Sequence, residues 1–120
     1  MSTRIRIARN NDALEGILDA ARYSCTGHLV YRKWSQSERR HVFSRYEVIP
    51  LDCGYTSRGS FVLYAQDYGD GNQVKQFIVK QIVRFEKTNR RIRPSFAIQV
   101  KRLEQGFGLS FEVEDEDERQ

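Results

Sequence analysis

Three apolar segments separated by polar punctuation constrain this chain most: Val48-Ile49-Pro50-Leu51, Phe61-Val62-Leu63-Tyr64-Ala65-Gln66-Asp67 and Val74-Lys75-Gln76-Phe77-Ile78-Val79-Lys80-Gln81-Ile82. Their β-branched and aromatic content, bounded by turn-forming residues, predicts three successive β-strands. The same period of two starts earlier. Leu29 to Trp34 reads as a first strand, Ser35 to Arg40 as its turn, and His41 to Ile49 as a second strand with Val42, Ser44, Tyr46 and Val48 on one face. Pro50 ends or bulges that strand, because proline has no N–H to give to a ladder. A loop over Asp52–Gly59 leads to a third strand, Ser60–Gln66, and Asp67 to Asn72 is a turn rich in residues that tolerate positive φ. Val74 to Phe85 reads as one long, bending central strand.

Upstream, Leu14, Ile17, Leu18 and Ala21 recur at helical spacing, predicting an amphipathic helix to about Ser24 with Asn11 or Asp12 as its cap and Gly16 in its interior. Arg4, Ile5, Arg6 and Ile7 before it alternate as a weak strand or basic arm. Downstream, Thr88–Pro94 is a basic loop carrying Arg90, Arg91 and Arg93. Phe96, Ile98 and Val100 alternate as a fifth strand, Gly106-Phe107-Gly108 breaks it, and Leu109–Val113 forms a short last strand. A helix followed by five or six short strands predicts a mainly β domain, the helix packed on a small, strongly bent antiparallel sheet or barrel.

At 120 residues the chain holds one domain over 1–111 and an acidic tail over 112–120. The net charge of +4 hides a division: the tail carries six acidic residues and one Arg, leaving the first 111 residues at +9. So basic a core points to a polyanionic partner. No run approaches the about 18 apolar residues that a membrane span needs, and the charged amino terminus is not a signal peptide. Two cysteines, Cys25 and Cys53, with no secretion signal are expected to stay reduced in a cytoplasm.

The strand frame resembles the WYL domains of prokaryotic transcriptional regulators and defence systems over about residues 14–88. Tyr31 matches the family's tyrosine on the first strand and Pro50 the proline closing the second. Phe61-Val62-Leu63 stands at the eponymous triplet with Leu63 retained, Ala65 and Asp67 follow as in the family, and Lys75, Phe77, Val79 and Ile82 keep the closing-strand frame. Ile78, Lys80 and Gln81 depart from its charged positions, and Tyr46 stands at an arginine position next to Arg45. The resemblance implies an Sm-like β-barrel that binds nucleic acid or a nucleotide-like effector and controls an attached activity. The segment before the first strand has room for one helix, not for a helix-turn-helix reader.

Basic and aromatic residues interleave on the first hairpin: Tyr31, Arg32, Lys33 and Trp34 on one strand, Arg39, Arg40, Arg45 and Tyr46 on the other. Aromatic rings can stack bases while Arg and Lys neutralise phosphates. Tyr31, Arg32, Arg45, Tyr46, Tyr55, Arg58 and Lys75 are therefore the expected binding residues for single-stranded DNA or RNA, or for a nucleotide ligand. No cofactor or metal is expected: Cys25, His28, His41 and Cys53 lack zinc-finger spacing, and turn chemistry explains Asp67 and Asp70. No nucleophile elbow, phosphate-binding glycine loop or trusted carboxylate pair occurs, so the protein is expected to be non-catalytic. The alternative class is an oligomerising protein-interaction module, because small barrels with free edges extend their sheets across subunits. The tail is expected to be disordered and solubilising, or to fold back on the basic face and compete with nucleic acid.

Overall fold

A computed structural model describes residues 2–108, with side chains from Asp12 onward; the acidic tail and the strand expected at 109–113 lie outside the described residues. Helix α1 spans Ser2–Tyr23 and is followed by strands β1 (Cys25–Ser35), β2 (Arg40–Tyr55), β3 (Phe61–Asp67), β4 (Gln73–Ile78) and β5 (Ile82–Arg91), with a 3-10 turn, Val79–Gln81, between the last two. The strands form one antiparallel sheet of order β4-β3-β2-β1-β5.

β2 is used twice. Its residues up to Val48 pair with β1, and those from Val48 onward pair with β3. The register shifts between Pro50 and Asp52, so Pro50 sits at a bulge and does not end the strand, which continues to Tyr55, into the first half of the segment expected to be a loop. A bulge bends its strand and sharpens the local twist. The sheet therefore curls, and the 3-10 turn carries the chain from one edge strand to the other. The long strand expected over Val74–Phe85 is thus two edge strands, neither of them central. At that end the Tyr31 hydroxyl, on β1, accepts a hydrogen bond from the Ile78 amide of β4 at 2.9 Å. No ladder joins β4 to β5 among the described residues, so the sheet remains open.

Both ends of the chain differ from expectation. Ser2 to Leu14 contains neither Gly nor Pro, and α1 runs through Arg4–Ile7, an alternation too short to impose a strand; Asn11 and Asp12 lie inside the helix. The helix stops at Ser24, whose φ of 55° takes the left-handed conformation common after helix ends. Residues 92–99 are irregular, and residues 100–108 form a second helix, α2, in place of the expected fifth strand and glycine break. Leu103 and Phe107, one helical turn apart, are fully buried. Each contributes about 1.5–3 kcal/mol by leaving water. The core lies between the inner face of the sheet and the two helices, with Ile17, Leu29, Val48, Leu63, Phe77, Phe85, Leu103 and Phe107 at its centre.

Candidate nucleic-acid interface

Strand alternation decides which side chains can meet. On the β1–β2 ladder, residues directly opposite share a face. Leu29 pairs with Tyr46 and Tyr31 with Ser44 on the inner face, where Leu29 is buried in the core and Tyr31 and Tyr46 pack against it. The intervening pairs, His28–Glu47, Val30–Arg45, Arg32–Phe43 and Trp34–His41, therefore point out. β5 continues the outer rows by setting Arg84 beside Val30 and Glu86 beside His28.

The seven residues expected to bind do not form one surface. Tyr31 and Tyr46 lie on the inner face, edge-on to Phe77 at 5.2 and 5.1 Å, partly buried against the core. Burial raises the Tyr31 phenol above its ordinary pKa, against the opposing pull of its bond with the Ile78 amide. Lys75 lies over the Tyr46 ring at 5.3 Å and donates to Asp67 and Asp70 at 2.7 and 2.8 Å. Those two hydrogen bonds, Asp67 first, raise its pKa. Its ammonium fills the place between the two carboxylates where a cation could have sat. Tyr55 and Arg58 are exposed at the β2–β3 connection, Tyr55 with its ring 5.0 Å from Phe61. Of the seven, only Arg32 and Arg45 share the outer face of β1–β2.

That face is built upward from a polar base. Thr26, fully buried, bonds both the Glu47 carboxylate and the Thr88 hydroxyl at 2.7 Å. Arg90 donates to Glu47 at 2.8 Å and stacks over Tyr68 at 4.8 Å. Burial pushes the Glu47 carboxyl up, but its bonds from Thr26 and Arg90 and the charges of Arg90 and His28 outweigh this and hold it below the usual carboxylate range. The one acid on β2 of this face is thereby neutralised.

Above the base lies a recess of about 230 Å³, floored by His28 and Val30 and walled by Arg45, Arg84, Glu86 and Lys87. Further along, β5 stops pairing at Tyr31 and β3 pairs with β2 only from Val48. The pairs from Arg32–Phe43 to Ser35–Arg40 therefore form a two-stranded arm that projects beyond the sheet. Its outer side carries Phe43, 63% exposed, and Trp34, 52% exposed and edge-on to His41 at 5.3 Å. Such rings on a projecting ribbon have no cover among the described residues. Arg32, Lys33, Arg39 and Arg45 have no carboxylate within ion-pair distance among the described residues, whereas Arg40 is paired with Glu38.

Phe43, His41 and Arg84 extend the surface beyond the expected residues. The hairpin register would have revealed the first two: once the turn is placed within Ser35–Arg40, Arg32 falls opposite Phe43 and Trp34 opposite His41. At the far end, a groove of about 790 Å³ is lined in part by Arg22, Arg91, Arg93 and Phe96. Arg91 there donates to the Tyr23 carbonyl.

Other chemistry finds no assembled site among the described residues. No three His, Cys, Asp or Glu side chains gather as metal ligands. Cys25 and Cys53 are free and buried. No helix is long and apolar enough to cross a membrane. The chain matches no family model, no curated protein and no solved structure.

Proposed function

We propose that this protein binds single-stranded nucleic acid, or a nucleotide ligand, non-catalytically on the outer face of β1, β2 and β5, as a regulatory or accessory domain in a reducing, cytoplasmic compartment. The observation that carries the reading is the register that sets Arg45, Val30 and Arg84 in one row, then Arg32 beside Phe43, then Trp34 beside His41, all facing outward. Arg32 and Arg45, with no carboxylate at ion-pair distance among the described residues, Arg84, which is 3.4 Å from the exposed Glu86 carboxylate, and exposed rings on one strip match a strand's phosphates and bases together. The curled sheet, with edge strands joined by a three-residue turn, supports an Sm-like barrel of the WYL type. In that scheme Tyr31 and Tyr46 shape the barrel wall, and Arg32 and Arg45 touch the ligand.

Fluorescence anisotropy with labelled single-stranded DNA, single-stranded RNA and duplex tests this. Three phosphate contacts, from Arg32, Arg45 and Arg84, give a log–log salt slope of about −2 on single strands, at about −0.7 per contact. Replacing all three by Gln should abolish most of that slope. Absence of binding to every probe at low salt would refute the reading.

A second reading rests on a different observation. β4 and β5 are both edge strands, with Val74 and Val83 exposed at 44% and 54%. Such edges suit sheet extension across subunits or onto a protein partner. Association of that kind would depend only weakly on salt.

A further inference from the structure

The spacing of the outer rows bears on the form of the ligand, and this inference rests on the function proposed above. Successive outward rows are two residues apart on each strand, an advance of about 6.7 Å. One nucleotide of a fully extended single strand advances by a similar distance. A strand within a duplex advances only about 3.4 Å per nucleotide along the axis, so its bases would fall out of step with the rows. We infer that the outer face takes one nucleotide per cross-strand row, and hence an extended single strand of about three nucleotides, with unpaired bases.

Each row offers what one nucleotide presents. The first has the about 230 Å³ recess between Arg45 and Arg84, where two guanidiniums can flank a phosphate above the Val30 floor once Arg84 turns from its exposed 3.4 Å contact with Glu86. The second sets the Arg32 cation directly opposite the exposed Phe43 ring. The third sets Trp34 against His41, leaving about half the indole open for a base. The series ends there, because the next outward positions lie in the turn after Ser35. The row at the other end, Glu47–His28–Glu86, carries no Lys or Arg of its own, and its carboxylates already hold Arg90 and Arg84. The turn defines one limit of the track, and this acidic row the other.

The test is a length series, from thymidine monophosphate to an eight-nucleotide oligothymidylate, titrated into the whole chain at low salt. Affinity should rise about 5- to 150-fold for each of the second and third nucleotides, the range expected for one stacked base, and then nearly level off. Phe43→Ala and Trp34→Ala remove exposed rings and leave the core intact, so both variants should fold. Trp34→Ala should erase the third increment alone. Phe43→Ala should erase the second increment. Equal affinity for monophosphate and trimer would overturn the inference while leaving nucleotide binding standing. So would a rise that continues steeply to eight nucleotides, or an equal loss in both variants at every length. If neither the monophosphate nor any oligomer binds, the proposed function itself fails.

Discussion

Gly27 tests the packing that supports the outer face from behind. It lies on β1 with its Cα toward the core, and a Cβ added there would fall 2.2 Å from both Cε1 and Cζ of Phe85. The Phe85 ring cannot simply retreat. It is 4% exposed, and Gly16 of α1 also approaches this residue, so that a Cβ there would lie 3.3 Å from the ring's Cδ1 and 2.7 Å from the Phe85 carbonyl oxygen. Gly27→Ala should therefore force the ring or the helix to move, at about 1–3 kcal/mol for overpacking and toward the upper end at this distance. Against this, alanine is about 0.5–1 kcal/mol better than glycine in a strand interior. The net expectation is a loss of about 2 kcal/mol, read as a lower urea midpoint at unchanged slope. Phe85→Ala should cost about 3–5 kcal/mol alone. In that background the added methyl has space, so Gly27→Ala should become neutral or stabilising. A wild-type or higher midpoint for Gly27→Ala alone would refute the close-approach argument, as would equal losses in both backgrounds.

Three further perturbations have definite signs. Because the native Glu47 carboxyl ionises below the usual range, the unfolded chain binds more protons in acid; its contribution is present above the unfolded carboxylate pKa of about 4.3 and is lost as pH falls through the lowered native value. Glu47→Gln should flatten the acid limb of a stability–pH curve, and an unchanged limb would exclude the Thr26–Glu47–Arg90 network as its source. Burial, followed by the Asp52 charge, pushes the Cys53 thiol up to about 11. Stability should therefore fall between about pH 9 and 11, by roughly 3 kcal/mol at most, and alkylation of native Cys53 at pH 8 should be far slower than in urea. Tyr31→Phe leaves the Ile78 amide without its acceptor and should cost about 1–3 kcal/mol of stability. It should leave affinity for single strands unchanged, and a large loss of affinity without loss of stability would return Tyr31 to the binding surface.

The sequence is most legible where local pattern and tertiary demand agree. Alternation around Tyr31, the glycine–asparagine turn before β4 and the stripe Leu14-Ile17-Leu18-Ala21 all lead to the elements observed. It misleads where one local pattern serves two purposes. Val79-Lys80-Gln81 has no Gly or Pro to mark a turn, yet the chain must leave β4 there to reach the opposite edge. Phe96, Ile98 and Val100 alternate like a strand, although Val100, Leu103 and Phe107 already hold the helical spacing of α2. Gly106 reads as a breaker, but inside α2 it permits close approach: a Cβ there would lie 2.8 Å from the Cys53 sulfur and 3.0 Å from Phe61. The candidate interface is half legible for a related reason. Neighbours in sequence such as Tyr31 and Arg32 suggest one cluster, but on a strand they face opposite ways.

Trp34 provides the most direct test, because it is the only tryptophan in the chain and lies on the proposed track. Its emission should be quenched as an oligothymidylate is added, with the same midpoint as anisotropy and the same weakening by salt. Anisotropy that rises while Trp34 emission stays constant would place the ligand elsewhere on the molecule and contradict the account.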